Sequence, residues 1–180
     1  MYSSDTLATV IKNTIREIPD FPKLGISFKD ITPILKDAKL CTAIMDELCK
    51  QLSNLEFDAV AAVESRGFLF GLMLANRMGK PFIPIRKKGK LPFITVQQQY
   101  NLEYGQATLE IHKDAFEPGA KILVHDDLLA TGGTVMATAA LIKQLGGSVA
   151  GFSFIIDLGF LNGAEKLKTE SKNIYALASY

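Results

Sequence analysis

The sequence predicts an α/β fold: a mainly parallel central sheet flanked by helices. Three observations carry that reading. Short apolar runs that read as buried strands alternate with stretches of helical period, as in AVAAVES (59–65) before FLFGLMLANRMG and ILVHDD (122–127) before VMATAALIKQL. In both units the polar residues fall where strand ends and helix begins, the edge at which open α/β sheets bind ligands. With 180 residues, 48% of them hydrophobic, the chain is long enough for one domain with a proper core. We expect a single domain over residues 1–180, with a small N-terminal hood (1–35) and a flexible hairpin-like loop (93–111).

The elements follow in order. Residues 5–17 read as a weakly amphipathic helix, with Leu7, Val10, Ile11 and Thr14 at helical spacing. Ser4 or Asp5 is the expected cap and Pro19 the stop. The next stretch, PDFPKLGISFKDITPIL, is rich in Pro, Gly and aromatics and reads as a structured loop, because its apolar residues need somewhere to pack. It falls outside the strand–helix alternation and is expected to cap the ligand edge. Residues 39–55 form a second helix with Leu40, Ile44, Leu48 and Leu52 on one face. The helix that starts at Arg66-Gly67 is apolar on nearly all sides, which predicts burial. KPFIPIR (80–86) is a strand, and its two prolines place its start at an edge or after a bend. KKGKLP (87–92) is a basic turn. Residues 93–111 have strand-like flanks, FITV and ATLEI, around the polar QQQYNLEYGQ, which predicts a hairpin-like excursion with a mobile tip. Beyond the central strand, a helix spans 135–145, a strand 150–158, one helical turn 162–167 and a last strand 173–177.

Composition narrows the function classes. A formal net charge of +1 argues against a nucleic-acid binder working by bulk charge. No apolar run approaches the length of a membrane span, and the N-terminal residues show no secretion signal. Cys41 and Cys49 lie in one predicted helix, about 12 Å apart along its axis, too far for a disulfide. Both are expected to be free thiols in a reducing cytoplasm. Neither has a His at metal-ligand spacing.

Chemistry concentrates in ILVHDDLLATGGT, residues 122–134. The loop after the strand offers backbone N–H groups, glycines at 132 and 133, hydroxyls at Thr131 and Thr134, and a helix N-terminus behind them. Such groups suit a phosphate. Asp126 and Asp127 would repel phosphate but suit sugar hydroxyls, or a metal held by that sugar. A ribose phosphate satisfies both halves. No Lys follows the glycines and G-x-G-x-x-G is absent, so neither a Walker A loop nor a dinucleotide fingerprint is supported. Three further stretches stand beside it. ESRGFLFG puts Ser65, Arg66 and Gly67 at another strand–helix junction, where Arg66 can grip a diphosphate. IRKKGKLP supplies the cations Arg86, Lys87, Lys88 and Lys90. NLEYGQATLEI places Glu103 at the tip of the excursion as a candidate acid or base.

FPKLGISFKDITPIL, ESRGFLFG, IRKKGKLP, LEYG and DDLLATGGT together, and in that order, resemble the adenine branch of the type I phosphoribosyltransferase family along nearly the whole chain. The resemblance implies transfer of the phosphoribosyl group from 5-phosphoribosyl diphosphate to adenine, giving AMP and diphosphate, with Mg²⁺ held mainly by the diphosphate and water. It also implies a homodimer and the following roles. Ala130, Thr131, Gly132, Gly133 and Thr134 hold the 5′-phosphate, with Leu128 beside them. Asp126 and Asp127 bind the ribose hydroxyls. Arg66, Lys87 and Lys90 contact diphosphate, with Lys90 reaching a neighbouring subunit. Phe28 stacks on the purine, while backbone near Ser27 reads its edge. Glu103 moves the proton, and Tyr104 covers the substrates.

Some positions depart from the family pattern. Lys29 stands where relatives commonly carry Arg, so a planar fork becomes a point charge. His125 occupies a usually aliphatic position and reads as a satisfied or half-buried strand residue rather than a catalytic one. His112 has no visible partner, and Gln97, Gln98 and Gln99 are without an account. A 6-oxopurine transferase would share the sugar site. A non-catalytic nucleotide-sensing regulator should show a basic face or an added DNA-binding segment.

Overall fold

The computed structural model describes residues 3–101 and 105–180. A seven-stranded sheet forms its centre, in the order β5-β6-β4-β3-β7-β8-β9. The strands are β3 (Ala59–Val63), β4 (Phe82–Lys87), β5 (Thr95–Asn101), β6 (Gln106–His112), β7 (Lys121–Leu129), β8 (Ser148–Asp157) and β9 (Ile174–Ser179). Pairings β4–β3–β7–β8–β9 are parallel, while β6 pairs antiparallel with both β4 and β5. The α/β expectation with a mainly parallel sheet holds.

Alternation along the central strands feeds two cores. Val60 and Leu123 face one side, with α1 (Ser4–Thr14), α3 (Ala38–Gln51) and α4 (Arg66–Arg77). Ala59, Ala61, Ile122 and Val124 face the other, with α5 (Gly133–Gln144). This is the period of two expected of strands covered on both faces. No helix among the described residues is long and apolar enough to cross a membrane. Cys41 and Cys49 are both free thiols on α3.

Several boundaries differ from the sequence reading, each for a local reason. The first helix stops at Thr14, because Ile15 turns to extended backbone and Arg16–Ile18 becomes β1, paired with β2 (Phe28–Asp30). Its cap is Ser3, whose hydroxyl accepts from the Thr6 N–H. The proline-rich stretch is thus a two-stranded ribbon followed by a short helix, α2 (Thr32–Leu35). Helix α4 buries Phe70 and Leu74 but leaves Leu69, Leu72 and Met73 exposed, so it is not buried all round. Pro84 lies within β4, in the part that pairs only with β3. Strand β6 joins β4 only at Arg86 and Lys87, so the missing N–H of Pro84 costs the sheet nothing.

The amide run gains an account as well. Gln97, Gln98 and Gln99 belong to β5, and the Gln98 side-chain oxygen accepts from Gln144 of α5 at 2.8 Å. Gln99 donates across to Gln106 on β6 at 2.5 Å. His112 Nε2 is 2.6 Å from the Pro92 carbonyl oxygen. A short 3-10 turn (Gly159–Leu161) and α6 (Gly163–Leu167) lead to the last strand.

Candidate active site

An open cleft of about 970 Å³ lies where β7 gives way to α5, between that junction and the hood. Ser27, Phe28, Lys29, Arg66, Leu128, Ala130, Thr131, Gly133 and Thr134 line it, nine residues that the sequence had singled out. The position matches the ligand edge expected of an open α/β sheet.

At one end is the loop 130–134. Gly132 sits at φ 79°, a left-handed conformation that glycine adopts without a Cβ penalty. Helix α5 starts there with no side-chain cap, so its first N–H groups keep their hydrogen-bonding capacity for an anion. Lys166 of α6 donates to the Thr131 carbonyl oxygen at 2.9 Å and steadies the loop from outside. From the other side, the end of β5 lies against it. A Cβ on Gly133 would stand 3.6 Å from the Asn101 carbonyl oxygen.

The two aspartates do not line the cleft; they lie just before this loop on β7, and Asp127 is joined to the lining through Arg66. Asp127 is buried, and its Oδ2 is 3.0 Å from Arg66 Nε. That is an ionic contact; no aligned hydrogen bond reaches the oxygen from a described residue. Asp126 Oδ1 accepts the Asp127 N–H at 2.9 Å. It also lies where a Cβ on Gly67 would come within 2.7 Å, so glycine is what lets α4 start this close to the acids. Burial pushes the Asp126 carboxyl well up, and the charge of Asp127 adds to it. Burial raises Asp127 too, and Arg66 offsets part of that. The pair is therefore costly to ionise, and gains from any ligand that gives it hydroxyl donors or a cation.

At the other end stands the hood. Phe28 meets Phe21 edge-on, with ring centroids 5.2 Å apart. The Arg66 guanidinium lies 4.8 Å from the Phe28 centroid and donates to the Lys29 carbonyl oxygen at 3.0 Å. Arg66 thus joins the acid pair to the hood. The Lys29 side chain is 8% exposed, forms an ion pair with Glu17 and lies 4.4 Å from the Tyr180 ring centroid. It is turned into the hood as a point charge, without the fork that Arg would offer.

Not every expected residue lines the cleft. Lys87, the last residue of β4, and Lys90, in the turn after it, are exposed and are not part of its lining. Glu103 and Tyr104 lie outside the described residues. His125 is fully buried beneath the site, its Nδ1 2.8 Å from Ser153 Oγ, and burial pulls its imidazole down to about 4. It is neutral at pH 7, and no described residue partners its Nε2.

The comparisons with known proteins agree with this geometry. A family profile for the phosphoribosyl transferase domain matches residues 27–177. The adenine phosphoribosyltransferase of Cytophaga hutchinsonii is 52% identical over 178 residues, covering 99% of this chain and 98% of that protein.

This chain belongs to the phosphoribosyltransferase family.

Within that family its structural neighbours are of the same kind. The adenine phosphoribosyltransferase from Thermoanaerobacter pseudethanolicus superposes with a TM-score of 0.92 at 51% identity, covering 96% of this chain and 99% of that one. The Saccharomyces cerevisiae enzyme, solved with an imino-altritol bisphosphate and adenine, superposes with a TM-score of 0.87 at 34% identity, covering 96% of this chain and 99% of that one. Against this phosphoribosyltransferase frame, the sequence reading passed over Tyr100, Tyr180, Glu17 and Lys166. The first three line the cleft, and the last holds its loop. Tyr100 was hidden in what read as a polar loop. Tyr180 and Lys166 lie far from the cleft's motifs in sequence, Glu17 falls at the end of what reads as the first helix, and no local pattern marks them.

Proposed function

We propose that this chain transfers the 5-phosphoribosyl group from 5-phosphoribosyl diphosphate to adenine, giving AMP and diphosphate in purine salvage. The observation that carries it is the continuity of one cleft from an uncapped helix N-terminus to the aromatic hood, with a buried acid pair beside its sugar end. Its phosphate loop fits the 5′-phosphate, Asp126 and Asp127 fit the ribose hydroxyls, and Phe28 fits a flat purine.

Adenine N9 attacks C1′ of the ribose while the bond from C1′ to the diphosphate oxygen breaks. The diphosphate leaves with the electron pair, and the proton on the base passes to Glu103. Positive charge builds on the ribose and negative charge on the leaving group. Cations at the diphosphate therefore lower the barrier most. Arg66, Lys87 and Lys90 are assigned to that task, with Tyr104 as a cover that excludes water. Mg²⁺ supplies further positive charge there. The ion is expected to arrive on the diphosphate and to keep several of its waters. Asp126 and Asp127 would be the hard-oxygen donors that the protein could offer such an ion.

The reading extends to a homodimer in the cytoplasm. The exposed Leu69, Leu72 and Met73 share one face of α4 and support an interface there. Sedimentation as a monomer at micromolar concentration would refute the dimer, and cell fractionation tests the compartment.

Base choice tests the function itself. Adenine donates from its 6-amino group where an oxopurine accepts, so one fixed set of hood groups suits only one of them. With the sugar diphosphate and Mg²⁺ present, adenine is expected to be consumed in preference to hypoxanthine, guanine or xanthine by as much as about 10⁴-fold. Comparable turnover of hypoxanthine would replace this reading with a 6-oxopurine transferase. No turnover of any base would leave a binding protein.

A further inference from the structure

The basic turn after β4 is held from beneath by two carboxylates that no step above uses. Glu110 of β6 is 2% exposed, and its Oε1 accepts the Lys90 N–H at 2.9 Å and the Leu91 N–H at 2.8 Å. Glu64, at the end of β3, accepts from Arg86 Nε at 2.8 Å and from the Lys87 N–H at 3.2 Å. Arg86 closes the turn by donating from Nη1 to the Lys90 carbonyl oxygen at 2.8 Å. Burial alone would raise the Glu110 carboxyl. The N–H groups of Leu91, Gly89 and Lys90 outweigh it and hold the carboxyl below the usual range. The turn's backbone donors are therefore spent inward, on an anion supplied by the protein itself. The side chains of Lys87, Lys88 and Lys90 are left exposed, and no carboxylate among the described residues pairs with them.

Strand β6 is also one arm of the hairpin that leads to residues 102–104. In the sheet Glu110 faces Arg86 of β4 on one side and Gln97 of β5 on the other. A single buried side chain thus ties the basic turn to the hairpin.

We propose that Glu110 is a positioning residue for the diphosphate: it fixes the lysine-bearing turn to β6, so that Lys87 and Lys90 are held in place to meet the leaving group. This rests on the reading that those lysines contact diphosphate. Leaving buried backbone donors without an acceptor is costly, and the turn would relax to rehydrate them. The lysines would then lose their placement while the hood and the phosphate loop kept theirs.

The test compares Glu110→Leu, Glu110→Asp and Glu110→Gln with Lys90→Ala, each checked for folding by circular dichroism. The readouts are KM for both substrates and binding of inorganic diphosphate with Mg²⁺ by calorimetry. Glu110→Leu is expected to raise KM for the sugar diphosphate and weaken diphosphate binding by roughly tenfold, with KM for adenine unchanged. Glu110→Gln keeps an acceptor oxygen and should stay within a few fold. Glu110→Asp, shorter by one methylene, should fall between them, and it carries the test if the leucine variant does not fold. Wild-type diphosphate binding in a folded Glu110→Leu or Glu110→Asp protein overturns the proposal, as does an equal rise in both KM values. Should Lys90→Ala weaken diphosphate binding while Glu110→Leu does not, only the positioning fails. Should Lys90→Ala change nothing, the lysine reading beneath it fails.

Discussion

The end of the cleft that we assign to the sugar is made from the middle of the seven-stranded sheet, and the end that we assign to the base from a two-stranded ribbon. Strand β7 lies between β3 and β8, paired in parallel with both, and delivers Asp126 and Asp127 into a buried setting. Strands β1 and β2 have three residues each and pair only with one another. The hood is tied down by charged contacts: Lys29 with Glu17, Arg16 with Asp30 at 3.5 Å, and Arg66 with the Lys29 carbonyl oxygen. The contrast is physical. At the sugar end, position is fixed by the core, and the functional groups strain the fold by their burial. At the base end, Ile15 and Ile31 anchor the ribbon's outer ends in the core, while the ribbon between them is held by a few partly exposed contacts, which are individually weak. Substitutions at the first end should therefore move stability and activity in opposite directions. At the second they should move base affinity with little effect on stability.

The largest expected effect lies outside both ends. Glu103→Gln is expected to leave the melting temperature and AMP affinity within a small factor while lowering turnover by about 10²–10⁴-fold, the usual worth of general acid–base help. Single-turnover kinetics with calorimetric AMP binding measures it. That outcome would sharpen the comparison, by showing that the two ends bind and orient while Glu103 moves the proton. A chemical step at the wild-type rate would remove Glu103 from the chemistry.

Next in size is Asp126→Asn. The amide gives the ribose hydroxyls a neutral acceptor where an anion stood, which should weaken use of the sugar diphosphate roughly 10–100-fold. Its folded-state carboxyl is raised above the ordinary value of 3.8. The folded protein therefore holds that proton more tightly than the unfolded chain does, and stability falls as pH rises through the window above 3.8. The penalty therefore grows as pH rises above 3.8, and Asn relieves it. Asp126→Asn should melt about 2–4 °C higher than wild type at pH 7–8, the shift that about 1 kcal/mol makes in a domain of this size. The gain should vanish near pH 4. A variant that loses both activity and stability at pH 8 would break the contrast drawn between the two ends.

The same contrast explains what could be read from the chain alone. Strands β3 and β7 announce themselves as apolar runs ending in polar residues, because both faces of each are covered; the acid pair and the phosphate loop are contiguous in sequence. Residues 16–18 and 28–30 carry no such signal. Three-residue strands have too little length for a period of two to show, and they form because Ile18 and Phe28, far apart in the chain, find each other. Tyr180 and Lys166 were illegible for a related reason: each acts on a group remote in sequence, while Glu17 read as the end of a helix. The exposed face of α4 was missed because an all-apolar helix signals burial without saying what covers it.

The smallest effect is expected at the hood. Glu17 is the ion-pair partner of Lys29, with side chains 55% and 8% exposed respectively. Glu17→Gln would leave a mostly buried ammonium with a neutral neighbour and the Tyr180 ring, and Lys29 would shift toward water. Lys29 lies in the strand that carries Phe28, so the base pocket should loosen while β7 and the phosphate loop stay in place. Because Glu17 is half in solvent, the pair is worth at most about 1 kcal/mol. KM for adenine should rise roughly twofold to fivefold, with KM for the sugar diphosphate and the melting temperature near wild type. Steady-state kinetics with each substrate varied at saturation of the other separates the two constants. A matching rise in KM for the sugar diphosphate would mean that Arg66, which touches both Asp127 and the Lys29 backbone, transmits hood motion to the acid pair. The two ends would then be one site mechanically as well as by position.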